Sequence, residues 1–281
     1  MSTTRLQFKE EPARGDPKVI PPLSTNSKPH LALRLPPRSA SRSFFPKSRL
    51  NSHSSIAGLL PSAMHSLYTG RCKDLNLTPL SSQEDRFYHD CQKYFFKDRQ
   101  VSLSNTNLGL FSCKAFSNML ASNDHFSHLD VSSNHIGNRG ASLLVKGLMA
   151  NLSIIHIDLS NNSITPEGAA ILFKSLRGQQ SVVSVDMHGN RIGEKGTEAL
   201  GRLLASNKLI SCLNLAKTSV DPRVLAQGLR GNTSIVSLDI SENGISDIEE
   251  LCIALESCRL FTLRLSNNKI CLLYTSDAAD E

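Results

Sequence analysis

From residue 101 to residue 270 the sequence predicts an α/β solenoid of stacked strand–turn–helix units. Three observations predict it. The first is a recurring segment: VSLSNTNLG (101–109), LDVSSNHIG (129–137), IDLSNNSIT (157–165), VDMHGNRIG (185–193), LNLAKTSVD (213–221), LDISENGIS (238–246) and LRLSNNKI (263–270). Their starts are 28, 28, 28, 28, 25 and 25 residues apart, and self-similarity at such a period marks a repeat architecture. The second is an apolar–x–apolar alternation opening each segment, the signature of a short strand burying every second residue. The third is helical chemistry after each segment, such as Leu143, Leu144 and Leu148, or Ala199, Leu200, Leu203 and Leu204. No unit buries its apolar faces alone, so stacking must supply the missing surface.

Within a unit each position has a physical task. Asn134, Asn162, Asn190, Asn243 and Asn268 stand where the chain leaves the strand. Stacked between coils, their amides are expected to satisfy turn backbone groups, at a loss of about 1–3 kcal/mol when one is removed. Thr106 and Thr218 replace this Asn in two units. Thr165-Pro166-Glu167 predicts a threonine N-cap, a proline at the first helical position and a first-turn acid. Asp221-Pro222 repeats the device, and Gly178, Asn207 and Gly231 mark helix ends. The units starting at 213 and 238 are three residues short, a deletion expected between turn and helix.

The pattern LxLxxNxIgxxG resembles the leucine-rich repeat family, in its 28-residue helix-bearing form as in ribonuclease inhibitor and the Ran GTPase-activating protein. The resemblance implies a horseshoe with parallel strands on the concave side and helices on the convex side. It also implies a non-enzymatic protein-binding scaffold. The alternative it suggests is a GTPase-activating or other GTPase-regulating role.

On that geometry the middle strand residues line the concave face. One column is Ser102, Asp130, Asp158, Asp186, Asn214, Asp239 and Arg264, and His128, His156 and His188 lie in the columns beside it. His128, Asp130, His156, Asp158, Asp186, His188, Asn214, Asp239 and Arg264 are therefore the candidate partner-binding residues. An aspartate row favours a basic partner, although LDLS is also the repeat's commonest form. The histidines suggest pH-sensitive recognition.

Before the repeats, residues 61–100 read as a helical cap. Ser81-Ser82-Gln83-Glu84 predicts a capping box, and Phe87, Cys91, Tyr94 and Phe95 share one helical face. Residues 1–60 contain 8 of the 12 prolines, with 10 Lys and Arg against 3 Asp and Glu, a charge of +7. Such a segment is expected to be a disordered basic tail able to touch acidic surfaces. The remaining 21 basic and 22 acidic residues give −1, so the repeats are not expected to bind nucleic acid.

Sites for chemistry are not apparent. His89, Cys91 and Cys72 lack metal-site spacing. Gly189 to Thr197 has the ingredients of a phosphate loop, but Lys195 does not follow its second glycine directly. No catalytic residue, metal or cofactor is expected. The seven cysteines follow no framework spacing, and no stretch has the length of a membrane span. The expected location is cytoplasmic, with cytoskeleton or cilium as specific settings. Residues 271–281, CLLYTSDAADE, break the repeat and resemble one translated frame of a transposase mosaic-end adapter used in sequencing libraries. They are expected to be an artefact, with the native protein continuing past Ile270.

Overall fold

A computed structural model describes residues 61–97 and 99–270; the expectations for residues 1–60 and 271–281 lie outside them. Two helices, α1 (Pro61–Asp74) and α2 (Ser81–Asp90), precede the repeats. Each repeat then adds one three-residue strand and one helix: β2 (Gln100–Ser102), α3 (Leu110–Ala121), β3 (His128–Asp130), α4 (Gly137–Ala150), β4 (His156–Asp158) and α5 (Pro166–Leu176). β5 (Ser184–Asp186), α6 (Gly193–Ser206), β6 (Cys212–Asn214), α7 (Pro222–Leu229), β7 (Ser237–Asp239), α8 (Glu249–Leu255) and β8 (Thr262–Arg264) follow. Strands β2 to β8 pair in parallel and in sequence order. The short β1 (Phe96–Lys97) joins β2 antiparallel and reverses the chain into the array.

The alternation works as the sequence requires. Val101, Leu129, Ile157, Val185, Leu213 and Leu238 stack as one buried column, and Leu103, Val131, Leu159, Met187, Leu215 and Ile240 as a second. In the last coil the same position, Leu263, is 37% exposed.

The asparagines bind the coils together. Asn134 Oδ1 accepts the N–H groups of Thr106 and Leu108 in the coil before, at 3.0 and 2.9 Å. Its Nδ2 donates to Leu103 O in that coil and to Val131 O in its own. Asn190 takes the N–H groups of Asn162 and Ile164; Asn243 takes those of Thr218 and Val220; Asn268 takes those of Asn243 and Ile245. Thr106 and Thr218 fill the position with a hydroxyl that donates to Leu103 O and Leu215 O of their own strands.

Asn162 breaks the series, because its Oδ1 is buried without a partner. The cause lies one coil earlier. In coils that engage the next amide, the residue after the ladder position adopts positive φ: Asn107, Ser163, Ser219 and Gly244. His135 and Arg191 do not, and the left-handed residue shifts to Gly137 and Gly193. Gly137 N then donates to Asn162 O instead. After the second such turn the next ladder residue is Thr218, which has no amide oxygen to strand.

A second set of amides closes the opposite loops. Asn151 Nδ2 donates to Leu120 O and Asn123 O, while its Oδ1 accepts Ser153 N and Ile154 N. Gln179 donates to Leu148 O and Asn151 O, and Asn232 to Leu204 O.

Several local expectations need correction. The short unit at 213 keeps its turn, with helix α7 starting four residues after Thr218 just as α5 starts four after Asn162, whereas in the unit at 238 α8 starts six residues after Asn243. Their loss falls in the helices, since α7 and α8 have 8 and 7 residues against 14 in α4 and α6. The short α7 sits close to α6, where a Cβ on Gly228 would lie 2.3 Å from Gly201 Cα. The capping box at Ser81 does not form. Extended Leu80 is the N-cap residue, and Glu84 binds His65 Nδ1 at 2.6 Å. After α2 the chain widens into a π-turn over Cys91–Phe95, which leaves Tyr94 exposed while Cys91 is buried. The Thr165 hydroxyl does not cap α5; it donates to Glu167 Oε2 and accepts from Asn138. Asp221 does cap α7, accepting Arg223 N and Val224 N.

Helix α1 is fastened to the array by a carboxylate. Asp74 accepts the N–H groups of Gly109, Phe111 and Ser112, and the Ser112 hydroxyl, so it caps α3 from another helix. Met64, Leu67, Cys91 and Phe96 join the core beneath.

Two outcomes follow, both read by urea unfolding with far-UV circular dichroism. Asn134→Ala and Asn190→Ala each lower stability by about 1–3 kcal/mol. Asn162→Ala lowers it less, by about 1 kcal/mol, because only its Nδ2 is engaged, with Val131 O in the coil before and Leu159 O in its own, while its Oδ1 accepts nothing; losses equal to those at Asn134 and Asn190 would contradict the ladder. Asp74→Ala lowers it by about 1–2 kcal/mol, the worth of a helix cap.

Candidate functional site

The concave face takes its geometry from the strand register. Ser102, Asp130, Asp158, Asp186, Asn214, Asp239 and Arg264 are direct partners across adjacent strands. Gln100, His128, His156, Ser184, Cys212, Ser237 and Thr262 form the parallel column. Neighbouring strands run about 4.8 Å apart, so three carboxylates of like charge stand side by side at Asp130, Asp158 and Asp186.

Each of these side chains also finishes its own strand. Asp130, Asp158, Asp186, Asn214 and Asp239 use Oδ1 to accept the backbone N–H two residues on, at 2.8–3.0 Å. The residue type is therefore partly a requirement of the turn. What remains for a partner is the second oxygen. Asp130 Oδ2 accepts the Ser102 hydroxyl at 2.7 Å, and Asp186 Oδ2 accepts Asn214 Nδ2 at 2.8 Å. Asp239 Oδ2 faces the exposed Arg264 guanidinium at 3.8 Å. Asp158, at the centre of the acidic run, is bonded by the backbone and hydroxyl of Ser160 in its own turn and by no neighbouring strand.

That arrangement governs protonation. Burial, then the Asp186 charge and more weakly Asp130, push Asp158 up to about 6, against the pull of Ser160. Burial also raises Asp186, opposed by its bonds to His188 N and Asn214. His128 and His156 stack with ring centroids 4.4 Å apart and planes 18° from parallel, and His128 Nδ1 lies 2.9 Å from Ser127 Oγ. Burial, and secondarily His128, lowers His156. His188 stands apart from that pair, in the column on the other side of the aspartates, beside Asp186. The structure thus places all nine candidate residues on β3 to β8 or the residues after them, with His128, Asp130, His156, Asp158, Asp186 and His188 grouped on three adjacent strands.

Other candidates resolve into structure. The Gly189 to Thr197 segment forms a coil turn and the start of α6, with the Thr197 hydroxyl donating to Gly193 O. Among the described residues no group of three or more His, Cys, Asp or Glu is placed to hold a metal ion. Cys113 is buried, with its thiol pushed up to about 12. No described helix is long and apolar enough to cross a membrane.

The aspartate row makes a pH prediction. A carboxyl raised in the folded state loses stability as pH rises from its unfolded value through its folded one, here between about 4 and 6. Asp158→Asn keeps the acceptor for Ser160 N and removes the charge. It should raise stability by about 1–2 kcal/mol at pH 7.5 and change nothing below about pH 4. The depressed His156 acts in the opposite direction near pH 6, in both proteins alike. Unfolding curves of the two proteins across that range provide the check.

Residues 122–145, 150–172 and 231–248 match the family model described as Leucine Rich repeat. No curated protein matches the chain. Solved structures that match part of the chain include leiomodin-1 actin-binding site 2, at 18% identity, covering 46% of this chain and 79% of that one, with a TM-score of 0.39. The tropomodulin C-terminal domain of Caenorhabditis elegans is similar at 15% identity, covering 46% of this chain and 82% of that one, also with a TM-score of 0.39. With the matched repeats and the coil-to-coil register together, residues 101–270 fold as a leucine-rich-repeat solenoid.

Proposed function

We propose that the array is a non-enzymatic protein-binding scaffold whose concave face receives a basic segment of another protein. The observation that carries this reading is Asp158: its carboxylate, bonded only within its own turn, sits between two like charges on the row. A lysine or arginine from a partner supplies the missing cation, and Asp130 and Asp186 extend its field to both sides. The stacked His128 and His156 offer a flat wall beside it, with His188 on the opposite flank. Asn214, Asp239 and Arg264 continue the row toward a positive end, which gives the partner a direction along the face. The repeat length of 28 residues in most units supports the ribonuclease-inhibitor-like subtype. The +7 charge of residues 1–60 supports a second contact, with an acidic surface.

Affinity capture with the full chain and with its Asp158→Lys variant tests the reading. Proteins bound through the concave face should be retained at least tenfold less by the variant, about 1.4 kcal/mol or more, and less at high salt. An unchanged capture profile would sink the proposal.

A further inference from the structure

The convex side carries a second surface that the concave reading does not use. Antiparallel α1 and α3 leave a groove of about 320 Å³ between them. Its floor is small because helix and helix approach closely: a Cβ on Gly70 would lie 2.8 Å from Phe111 O. Lys73 and Lys114 stand on its walls, with Lys73 Nζ 5.8 Å from the centre of the Phe111 ring. On the other side of α3 lies a groove of about 340 Å³ lined by Leu110, Leu143 and Ile171, with Arg139 at its edge. Consecutive residues Leu110 and Phe111 divide the two, so they form one continuous surface across α1, α3, α4 and α5.

Two properties of this surface set its chemistry. Leu110 and Ile171, which line one groove, expose 37% and 47% of their area, and Phe111, which lines the other, exposes 49%, where scattered apolar residues are the norm. Lys73, Lys114 and Arg139 form no ion pair among the described residues. The nearest acids are committed elsewhere. Asp74 is consumed by the N–H groups of α3, and Glu167 is held by the Thr165 hydroxyl and by the charges of Lys195 and Arg191.

We propose that these grooves together dock a short acidic peptide segment of another protein, with apolar side chains seated beside Leu110, Phe111 and Ile171 and carboxylates meeting Lys73, Lys114 and Arg139. Charge complementarity selects the occupant. The chain's own residues 1–60, at +7, are repelled by three unpaired cations. Two adjoining shallow grooves between helices suit the successive side chains of a peptide.

Phage-displayed random peptides panned on the full chain test this, with the Lys73→Glu/Lys114→Glu variant as counter-selection and fluorescence anisotropy of the enriched peptides as readout. Enriched sequences should combine acidic with Leu, Ile or Phe residues. Their affinity should fall about tenfold in the double variant and severalfold in Ile171→Ser, and stay unchanged in Asp158→Asn, which separates this surface from the concave one. Far-UV circular dichroism confirms that the exposed substitutions leave the fold intact. Enrichment of neutral or basic peptides, equal binding to the double variant, or no enrichment overturns the proposal. Capture of phosphatidylserine vesicles in place of peptides overturns it in favour of a membrane.

Discussion

A buried side-chain amide that hydrogen-bonds two coils at once is the interaction on which this structure depends. A three-residue strand has too few ladder bonds to fix its neighbour, and the turn after it exposes N–H groups to an apolar interior. The amide of Asn134, Asn190, Asn243 or Asn268 meets both needs, accepting from the coil before and donating to carbonyls on either side. Leaving such groups unpaired costs more than most single contacts contribute. The leucine columns supply the bulk of the burial, but apolar packing has little direction of its own. The amides set the step from coil to coil.

That step has an electrostatic consequence. Once each coil repeats the last in register, every strand position becomes a column, and any residue the turn favours is multiplied along the face. Aspartate at the strand end is favoured because Oδ1 accepts the N–H two residues on. Multiplied, it becomes a row of like charges. The array tempers the row by alternating partners: Ser102 for Asp130, Asn214 for Asp186 and Arg264 for Asp239. Asp158 alone among these has no partner on a neighbouring strand, and local turn chemistry thereby becomes a candidate binding feature.

Much of this was legible in the sequence, and the exceptions have physical reasons. The seven strands, their register and the concave columns follow from a period that few other patterns imitate. The loop amides were equally legible, since Asn123, Asn151, Gln179, Asn207 and Asn232 recur with the strand period, yet of these only Asn207 carried a reading, as a helix end. Asp74 carried no local signal, because it caps a helix 35 residues further along the chain. The capping box at Ser81 was misread because the sequence gives residue types and not the conformation of Leu80, which places the helix start. The turn after Asn134 differs from those after Thr106, Asn162, Thr218 and Asn243 in where the left-handed residue falls, which comparison among coils reveals.

The account makes the asparagine a link between coils and not merely a local turn former. Amide hydrogen exchange of the full chain, with and without Asn190→Ala, tests that claim most directly. A link predicts faster exchange at the N–H groups of Asn162 and Ile164 in the preceding coil, whose acceptor has been removed. Loss of protection confined to the turn that contains residue 190, with Asn162 and Ile164 unchanged, would contradict it.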